Sequence, residues 1–458
     1  MRVVPYEENT RTIFGDDTLD YTITIKPWYL QPDYTNDDMI IDVDGSVRAG
    51  TVPALVEHLT SHDLSDLTFI KTFLMTYKSF TTLDEFFDHL VRRFFIQPPD
   101  WLSPSEAEEW RKLKQHVIQM RVLNILGAMV MDENFFEKED LSILNQMKEF
   151  LQNEEVNKIL AAKQLLPLVE RARGGDIKKG FTPNIGSPPT SIMPKPDKKL
   201  KLMDIDPLEL ARQLTIMESH LYQKIRPIEC LQRSLEQKTD HSDNIARVIQ
   251  TCNRIANWVA DSVLSHEDSK KRAVILKQFI SVADRCRLMH NYSSMVAIIS
   301  GLNSPPIVRL KRSWEQVNAR HMSQLENCEF IINSGKNFNS YRSILAKVVP
   351  PCVPFIGVFL TTLTFIRDGS KDTLSGNLVN FRKRQKALEV IQDIQRWQTF
   401  PHNFSPISSV QTYLEESLAR FSKQVDVGDY FWNLSLEREP HESVKEKMAR
   451  LLQESGFL

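Results

Sequence analysis

The chain lacks the means for a disulfide framework. Its 458 residues hold five cysteines, Cys230, Cys252, Cys286, Cys328 and Cys352. None makes a CxxC pair and the number is odd, which argues against a disulfide scaffold and a zinc ribbon alike. Buried thiols in a reducing compartment are the expectation. No apolar run reaches the roughly 18–20 residues that a membrane-spanning helix needs. The N-terminus turns acidic at Glu7 and Glu8 and lacks a signal-peptide core. A soluble, cytoplasmic protein is expected, so the Asn403-Phe-Ser and Asn433-Leu-Ser sequons carry little meaning. A formal net charge of −2 gives no global attraction to nucleic acid or to an anionic membrane. No nucleic-acid partner is expected, and nothing signals a homo-oligomer.

Catalytic constellations are missing too. The chain has no HExxH, no GxSxG elbow and no glycine-rich loop ending in Gly-Lys-Ser/Thr. Ser334-Gly335-Lys336-Asn337 has neither the spacing nor the hydroxyl for phosphate. The eleven histidines are scattered and none sits at metal-ligand spacing beside Cys or carboxylate. We therefore expect no covalent chemistry, no cofactor and no metal, and a function in protein interaction.

Helical periodicity is plentiful. Hydrophobic residues make up 41% and charged residues 25%, an ordinary globular balance. At about 100–200 residues per domain, the length suits two to four domains. Residues 1–45 are polar and Asp-rich and read as an extended lead-in. From residue 46 to 171 apolar residues recur at helical spacing. Thr51 can cap one helix, Leu67, Ile70, Phe73, Leu74 and Tyr77 share a face on the next, and Thr81 or Thr82 starts a third before Gln97-Pro-Pro ends it. Further helices are expected over about 105–132, 138–152 and 154–171. Residues 172–200 lose this pattern to Gly, Pro, Ser and Lys and read as a linker. Helical spacing returns over 201–440, for instance at Ile245, Ile249, Cys252, Ala256 and Val259. Residues 441–458 read as one more amphipathic helix. No strand alternation persists anywhere. The expected class is all-α, with two helical domains.

Four segments are unlike routine helix. They are Asp206-Pro-Leu-Glu-Leu-Ala-Arg with Tyr222-Gln-Lys-Ile-Arg-Pro; Asn253-Arg-Ile-Ala-Asn-Trp through Asn291-Tyr-Ser-Ser-Met to Pro306-Ile-Val-Arg-Leu; Pro350-Pro-Cys-Val-Pro-Phe-Ile-Gly-Val-Phe-Leu; and Asn377-Leu-Val-Asn-Phe-Arg-Lys-Arg. In this order and at these separations they resemble the catalytic domain of the Ras guanine-nucleotide exchange factors, of the Son-of-sevenless and fungal type. Leu67-Thr-Phe-Ile-Lys-Thr-Phe-Leu-Met-Thr-Tyr resembles the Ras exchanger motif domain that precedes it. The resemblance spans roughly residues 45–440.

Residues 355–366 are almost wholly apolar and are stopped by Arg367-Asp-Gly-Ser-Lys-Asp. A second helix follows with Ala387, Leu388, Val390, Ile391 and Ile394, making a helical hairpin. From the residues alone, the plainer reading is a central core helix. The resemblance implies that the hairpin protrudes and inserts beside the nucleotide of a Ras-family small GTPase, displacing its switch I. It places Thr364 and Asp368 near the hairpin tip, where the Son-of-sevenless pattern has Leu and Glu. It also implies a pocket for switch II made by Ile249, Val296, Ser300, Asn303, Phe338 and Phe355, with Phe355 doubling as the start of the wedge. A Rap or Ral client, or a helical scaffold that binds a GTPase without exchange, stays open. Membrane recruitment, through the GTPase or through other regions, stays open as well.

Overall fold

A computed structural model describes residues 26–440, apart from 64, 133–134, 137–139, 175–185, 195–198, 236–242, 334 and 422–426. The helix expected over 441–458, most of the lead-in and part of the linker lie outside the described residues. Among the described residues the class is all-α, with one small sheet.

After a 3₁₀ turn (Trp28–Leu30), strands β1 (Met39–Ile41) and β2 (Val47–Gly50) lead into α1 (Val52–Leu59), α2 (Leu67–Thr76), α3 (Leu83–Phe94) and α4 (Pro104–Trp110). A π-helical turn (Arg111–Gln115) joins α4 to α5 (His116–Met131), followed by α6 (Leu141–Gln152), α7 (Glu154–Asn157) and α8 (Leu160–Arg173). The second group begins with α9 (Pro207–Tyr222), α10 (Pro227–Arg233), α11 (Asn244–Leu264), α12 (Ser269–Leu288) and α13 (Tyr292–Leu302). Short α14 (Pro305–Val308) and α15 (Lys311–Trp314) precede α16 (Ala319–Ile331), α17 (Gly335–Leu345) and α18 (Ile356–Gly369). Strands β3 (Thr373–Leu374) and β4 (Leu378–Val379) separate α18 from α19 (Phe381–Arg396), and α20 (Ser408–Ala419) and α21 (Gly428–Arg438) close the described chain.

Local rules account for the helix starts. Thr51 accepts from the Ala54 amide, Asp66 from Thr68 and Phe69, Thr82 from Glu85, and Ser103 with Glu106 forms a capping box. The buried stripes differ in places from the simplest helical reading. On α2, Phe69, Thr72, Phe73 and Thr76 are buried while Leu67 is 77% exposed. The two buried threonines are tolerated because their hydroxyls donate to the carbonyls of Thr68 (2.8 Å) and Thr72 (2.6 Å). On α11 the buried residues include Ile245, Val248, Ile255 and Val259, and Ile249 sits at the edge, 36% exposed.

Two large cores result. One gathers residues from Met39 to Val169, and the other gathers α9 to α21. The lead-in is tied to the first by Lys114, whose buried ammonium donates to the Gln31 carbonyl (2.7 Å) and Asp33 (3.1 Å). The π-helical turn carries that lysine.

The first core also contains Val379 and Phe381, which lie more than 200 residues downstream of its other members. Phe381 stacks on Phe69 with ring centroids 4.5 Å apart. The sheet order is β1-β2-β4-β3, and Gly50 pairs with Val379. The strands have two to four residues, too short to show alternation in the sequence. Phe381→Ala is expected to lower stability by about 3–5 kcal/mol, read as a lower urea midpoint. An unchanged midpoint would mean that the stacked pair does not hold the two halves together.

Candidate functional site

The hairpin starts where the extended Val353-Pro354-Phe355 segment turns into α18. Val353 accepts from the amides of Tyr292 (2.9 Å) and Ser293 (3.2 Å), and its own amide donates to His290 (3.0 Å). The segment is thereby laid against the start of α13. No side chain caps α18 at Phe355. The Phe355 amide donates instead to the buried Tyr341 hydroxyl at 2.8 Å. The Phe355 ring folds back over Gly357, where an added Cβ would lie 2.3 Å from the ring. Only glycine allows that approach.

Helix α18 has two faces. Ile356, Phe359 and Leu363 are buried, and Thr364, Phe365 and Asp368 are exposed at the spacing of one helical stripe. The threonines suit an apolar helix because Thr361 and Thr362 bond back to the carbonyls of Gly357 (2.9 Å) and Val358 (3.1 Å). At about 1.5 Å per residue, Thr364 stands roughly 13 Å along the axis from Phe355, and Asp368 roughly 20 Å. The tip residues and Phe355 thus share one rod but not one pocket. Asp368 accepts from Arg367 Nε at 2.9 Å, and that bond holds its carboxyl below the usual range.

The return arm explains the Asn377-Leu-Val-Asn-Phe-Arg-Lys-Arg segment. Gly376 and Asn377 take left-handed φ (77° and 58°) in the turn between β3 and β4. Asn380 caps α19 through the Lys383 amide (3.2 Å) and donates to the Lys371 carbonyl (2.9 Å). The Lys383 ammonium is fully buried and donates to the carbonyls of Arg367 (3.1 Å) and Ser370 (2.6 Å), with Asp372 at 2.8 Å. A cation at the C-terminal end of α18 also suits the helix dipole. Arg384 donates to Ser79 Oγ (3.3 Å) and to the carbonyls of Asp372 (2.5 Å) and Asn380 (3.2 Å). Adjacent residues therefore lock the hairpin closed and tie it to the first helical group.

The residues expected in the pocket divide. Phe338 and Phe355 are half-buried, with ring centroids 6.3 Å apart. Val296 is half-buried on α13, and Ile249 is exposed on α11. They flank a contact between these helices, where Cys252 Sγ lies 3.4 Å from Ser293 Oγ. Farther along, a Cβ on Gly301 would lie 2.5 Å from the Ala256 carbonyl oxygen, so the two helices nearly touch. Ser300 is exposed and donates to the Val296 carbonyl (2.8 Å), and Asn303 is exposed and donates to Glu329 (2.7 Å).

Sequence reasoning passed over Phe365, 61% exposed beside Thr364, and over Tyr341, Arg342 and Gly357, which touch the wedge base. A phenylalanine inside an apolar run gives no sign of which way it faces. Among the described residues, no group of three His, Cys, Asp or Glu side chains is placed to hold a metal ion. No helix there is long and apolar enough to cross a membrane.

One buried acid underlies this face. Glu218 of α9 accepts from Ser293 Oγ at 2.5 Å, and its other oxygen has no hydrogen-bond partner among the described residues. Burial pushes its carboxyl up to about 7, and the Ser293 bond offsets this only in part.

Comparison with known proteins adds to this geometry. Residues 46–150 match the RasGEF N-terminal motif and residues 209–385 match the RasGEF domain. The chain is 37% identical over 427 residues to cell division control protein 25 of Candida albicans, covering 91% of this chain and 32% of that protein. It is 35% identical over 447 residues to the Saccharomyces cerevisiae protein of the same name, covering 90% and 28%. It is 33% identical over 386 residues to Ras guanine nucleotide exchange factor A of Dictyostelium discoideum, covering 81% and 61%. The chain thus spans about a third or less of the two yeast proteins and under two thirds of the amoebal one.

The raised Glu218 carboxyl has a stability consequence. The folded chain keeps the proton up to about pH 7, whereas an unfolded glutamic acid releases it near its ordinary 4.5. The folded state therefore binds more protons across that window, and it loses stability as pH rises through it. Glu218→Gln, which mimics the protonated form, is expected to flatten the decline of Tm between about pH 5 and 8. It should also melt higher than the parent at the alkaline end. An equal slope in both proteins would show that Glu218 is not the titrating group.

Proposed function

Because the chain belongs to the Ras guanine-nucleotide exchange factor family, we propose that it promotes GDP release from a Ras-family small GTPase. The hairpin of α18 and α19 inserts beside the nucleotide and displaces switch I, while switch II docks in the pocket of Ile249, Val296, Ser300, Asn303, Phe338 and Phe355. In this reading residues 46–171 form the Ras exchanger motif domain and residues 201–440 the catalytic domain. The chain acts in the cytoplasm, at the membrane surfaces where its GTPase resides.

The observation that carries the reading is the exposed stripe of Thr364, Phe365 and Asp368 on a rod clamped at both ends. The exposed Phe365 ring and the Asp368 carboxylate offer apolar and charged contact area on the face of α18 opposite the core. An unburied Phe forgoes about 1.5–3 kcal/mol of burial, which an interface can recover. Phe365 also bears on the substitution at Thr364. It supplies the apolar bulk that a threonine lacks, one position along.

Exchange requires no bond to be made or broken. A protein that binds the nucleotide-free GTPase more tightly weakens the nucleotide by the same factor. A picomolar nucleotide complex is worth roughly −16 kcal/mol, and a rate gain of about 10⁴ needs roughly 5.5 kcal/mol of barrier. A single charge contact rarely supplies that much. A rigid wedge that moves a whole switch segment is better matched to the requirement. Arg367 must release Asp368 if that carboxylate is to act, so the reading assigns catalysis to the hairpin as a body rather than to one side chain.

Release of a fluorescent GDP analogue from Ras, Rap and Ral decides both activity and client. Acceleration is expected on at least one of them, and binding without release would instead support the scaffold. Phe355→Ala should abolish acceleration with little change in helicity, and full activity in that variant would sink the pocket assignment. Gly357→Ala should reproduce the loss, because the new methyl displaces the Phe355 ring. Wild-type rates in Gly357→Ala would show that the ring position is immaterial.

A further inference from the structure

Helix α17 runs beside the base of the hairpin and touches it through three neighbouring side chains. Phe338 meets the Phe355 ring, Tyr341 accepts the Phe355 amide, and Arg342 reaches α18 itself. The Arg342 guanidinium is half-buried and bridges two places. Its Nε donates to the Asn337 carbonyl at 3.0 Å. Its Nη2 donates to the Val358 carbonyl at 3.2 Å and to Thr362 Oγ1 at 3.0 Å.

Both ends of this bridge are informative. Asn337 and Phe338 take left-handed φ of 57° and 56°, a conformation that costs an ordinary residue on the order of 1–3 kcal/mol. The carbonyl held by Arg342 belongs to the peptide that presents Phe338. At the other end, Thr362 already donates its hydroxyl to the Val358 carbonyl at 3.1 Å, and that carbonyl lies inside a regular helix. The arginine bonds are therefore not needed to satisfy the α18 backbone. What they add is a fixed orientation of α18 relative to the turn that carries Phe338. A planar guanidinium with several donors suits that task, and a lysine ammonium does not.

We propose that Arg342 is a positioning residue that couples the aromatic pocket at Phe338 and Phe355 to the angle of the wedge helix. Resting on the exchange reading above, this link transmits occupancy of the pocket to the hairpin. A partner segment that seats against Phe338 shifts the Asn337–Phe338 peptide. The guanidinium carries that shift to Val358 and Thr362, about one and two turns above the wedge base. Displacement at the base is amplified along the rod to Thr364 and Asp368. The device concerns orientation, so its loss reaches the rate at saturation more than the affinity.

The test is GDP-analogue release at rising exchange-factor concentration for the parent chain, Arg342→Ala, Arg342→Lys and Thr362→Val. Arg342→Ala is expected to lower the maximal release rate by about tenfold or more, because small misplacements of a catalytic body are costly. Its half-saturating concentration should stay within about twofold. Arg342→Lys should not restore the rate. Thr362→Val should show a smaller loss in the same direction, and combined with Arg342→Ala it should add nothing, since both remove the same link. Amide hydrogen exchange should rise over 356–369 in Arg342→Ala and remain level elsewhere.

An unchanged maximal rate would overturn the inference. So would a loss carried wholly by half-saturation, a full rescue by Lys, or hydrogen exchange that is unchanged over 356–369 or raised everywhere. If Arg342→Ala does not fold, Thr362→Val decides alone, because it removes only one end of the link: parental kinetics in that variant would overturn the inference. A parent chain inactive on every GTPase would overturn the exchange reading, and this one with it. An active parent with an unaltered Arg342→Ala would overturn this inference alone.

Discussion

Everything about the hairpin depends on where Phe381 is buried. It opens α19, the return arm of the hairpin, yet its ring belongs to the core of the first helical group, stacked on Phe69. The same stretch contributes Val379 to the pairing with Gly50. A long hairpin anchored at one end only would swing. Here the return arm is part of another core, and moving it means exposing a fully buried aromatic ring. The two helical groups are therefore mechanically one unit at this seam, although nearly everything else in their cores is separate.

The polar groups around Phe381 complete the constraint. Lys383 binds the last carbonyls of α18 and Arg384 reaches Ser79 across the seam. A buried lysine and a buried arginine are costly to desolvate, and each is offset by two carbonyl acceptors. Burial lowers Arg384 to about 10, while Asp372 opposes the shift, so it stays a cation at neutral pH. Neutralising either residue strands the carbonyls that it binds. Four consecutive residues, Phe381 to Arg384, thus face the first core, solvent beside Asp42, the end of α18 and the seam.

Much of the fold was legible in the chain itself. Helix starts followed from side chains that accept backbone amides, and such caps are local. Buried stripes were legible to within a turn, but their direction was not. Leu67 was expected inward and faces out, while Phe69 faces in, because the partner surface for α2 is supplied by α19 from the far end of the chain. Ile249 sits at the margin of its stripe for a related reason: α11 buries the face that meets α13. The small sheet was not legible, since two-residue strands have no period to read.

The sequence by itself determined that this is an all-α chain, that an apolar run follows Phe355 and stops at Arg367, and that ordered motifs place it beside the Ras exchange factors. These depend on composition, periodicity and order, which are properties of neighbours in sequence. Only the tertiary structure decided which face of the apolar run is exposed, that Phe365 shares it with Thr364 and Asp368, and that Arg342 and Tyr341 grip its base. Those facts depend on groups 14 to 20 residues apart or, at Phe381, more than 300. Burial is set by what packs against a residue, and no window of sequence contains its packing partner.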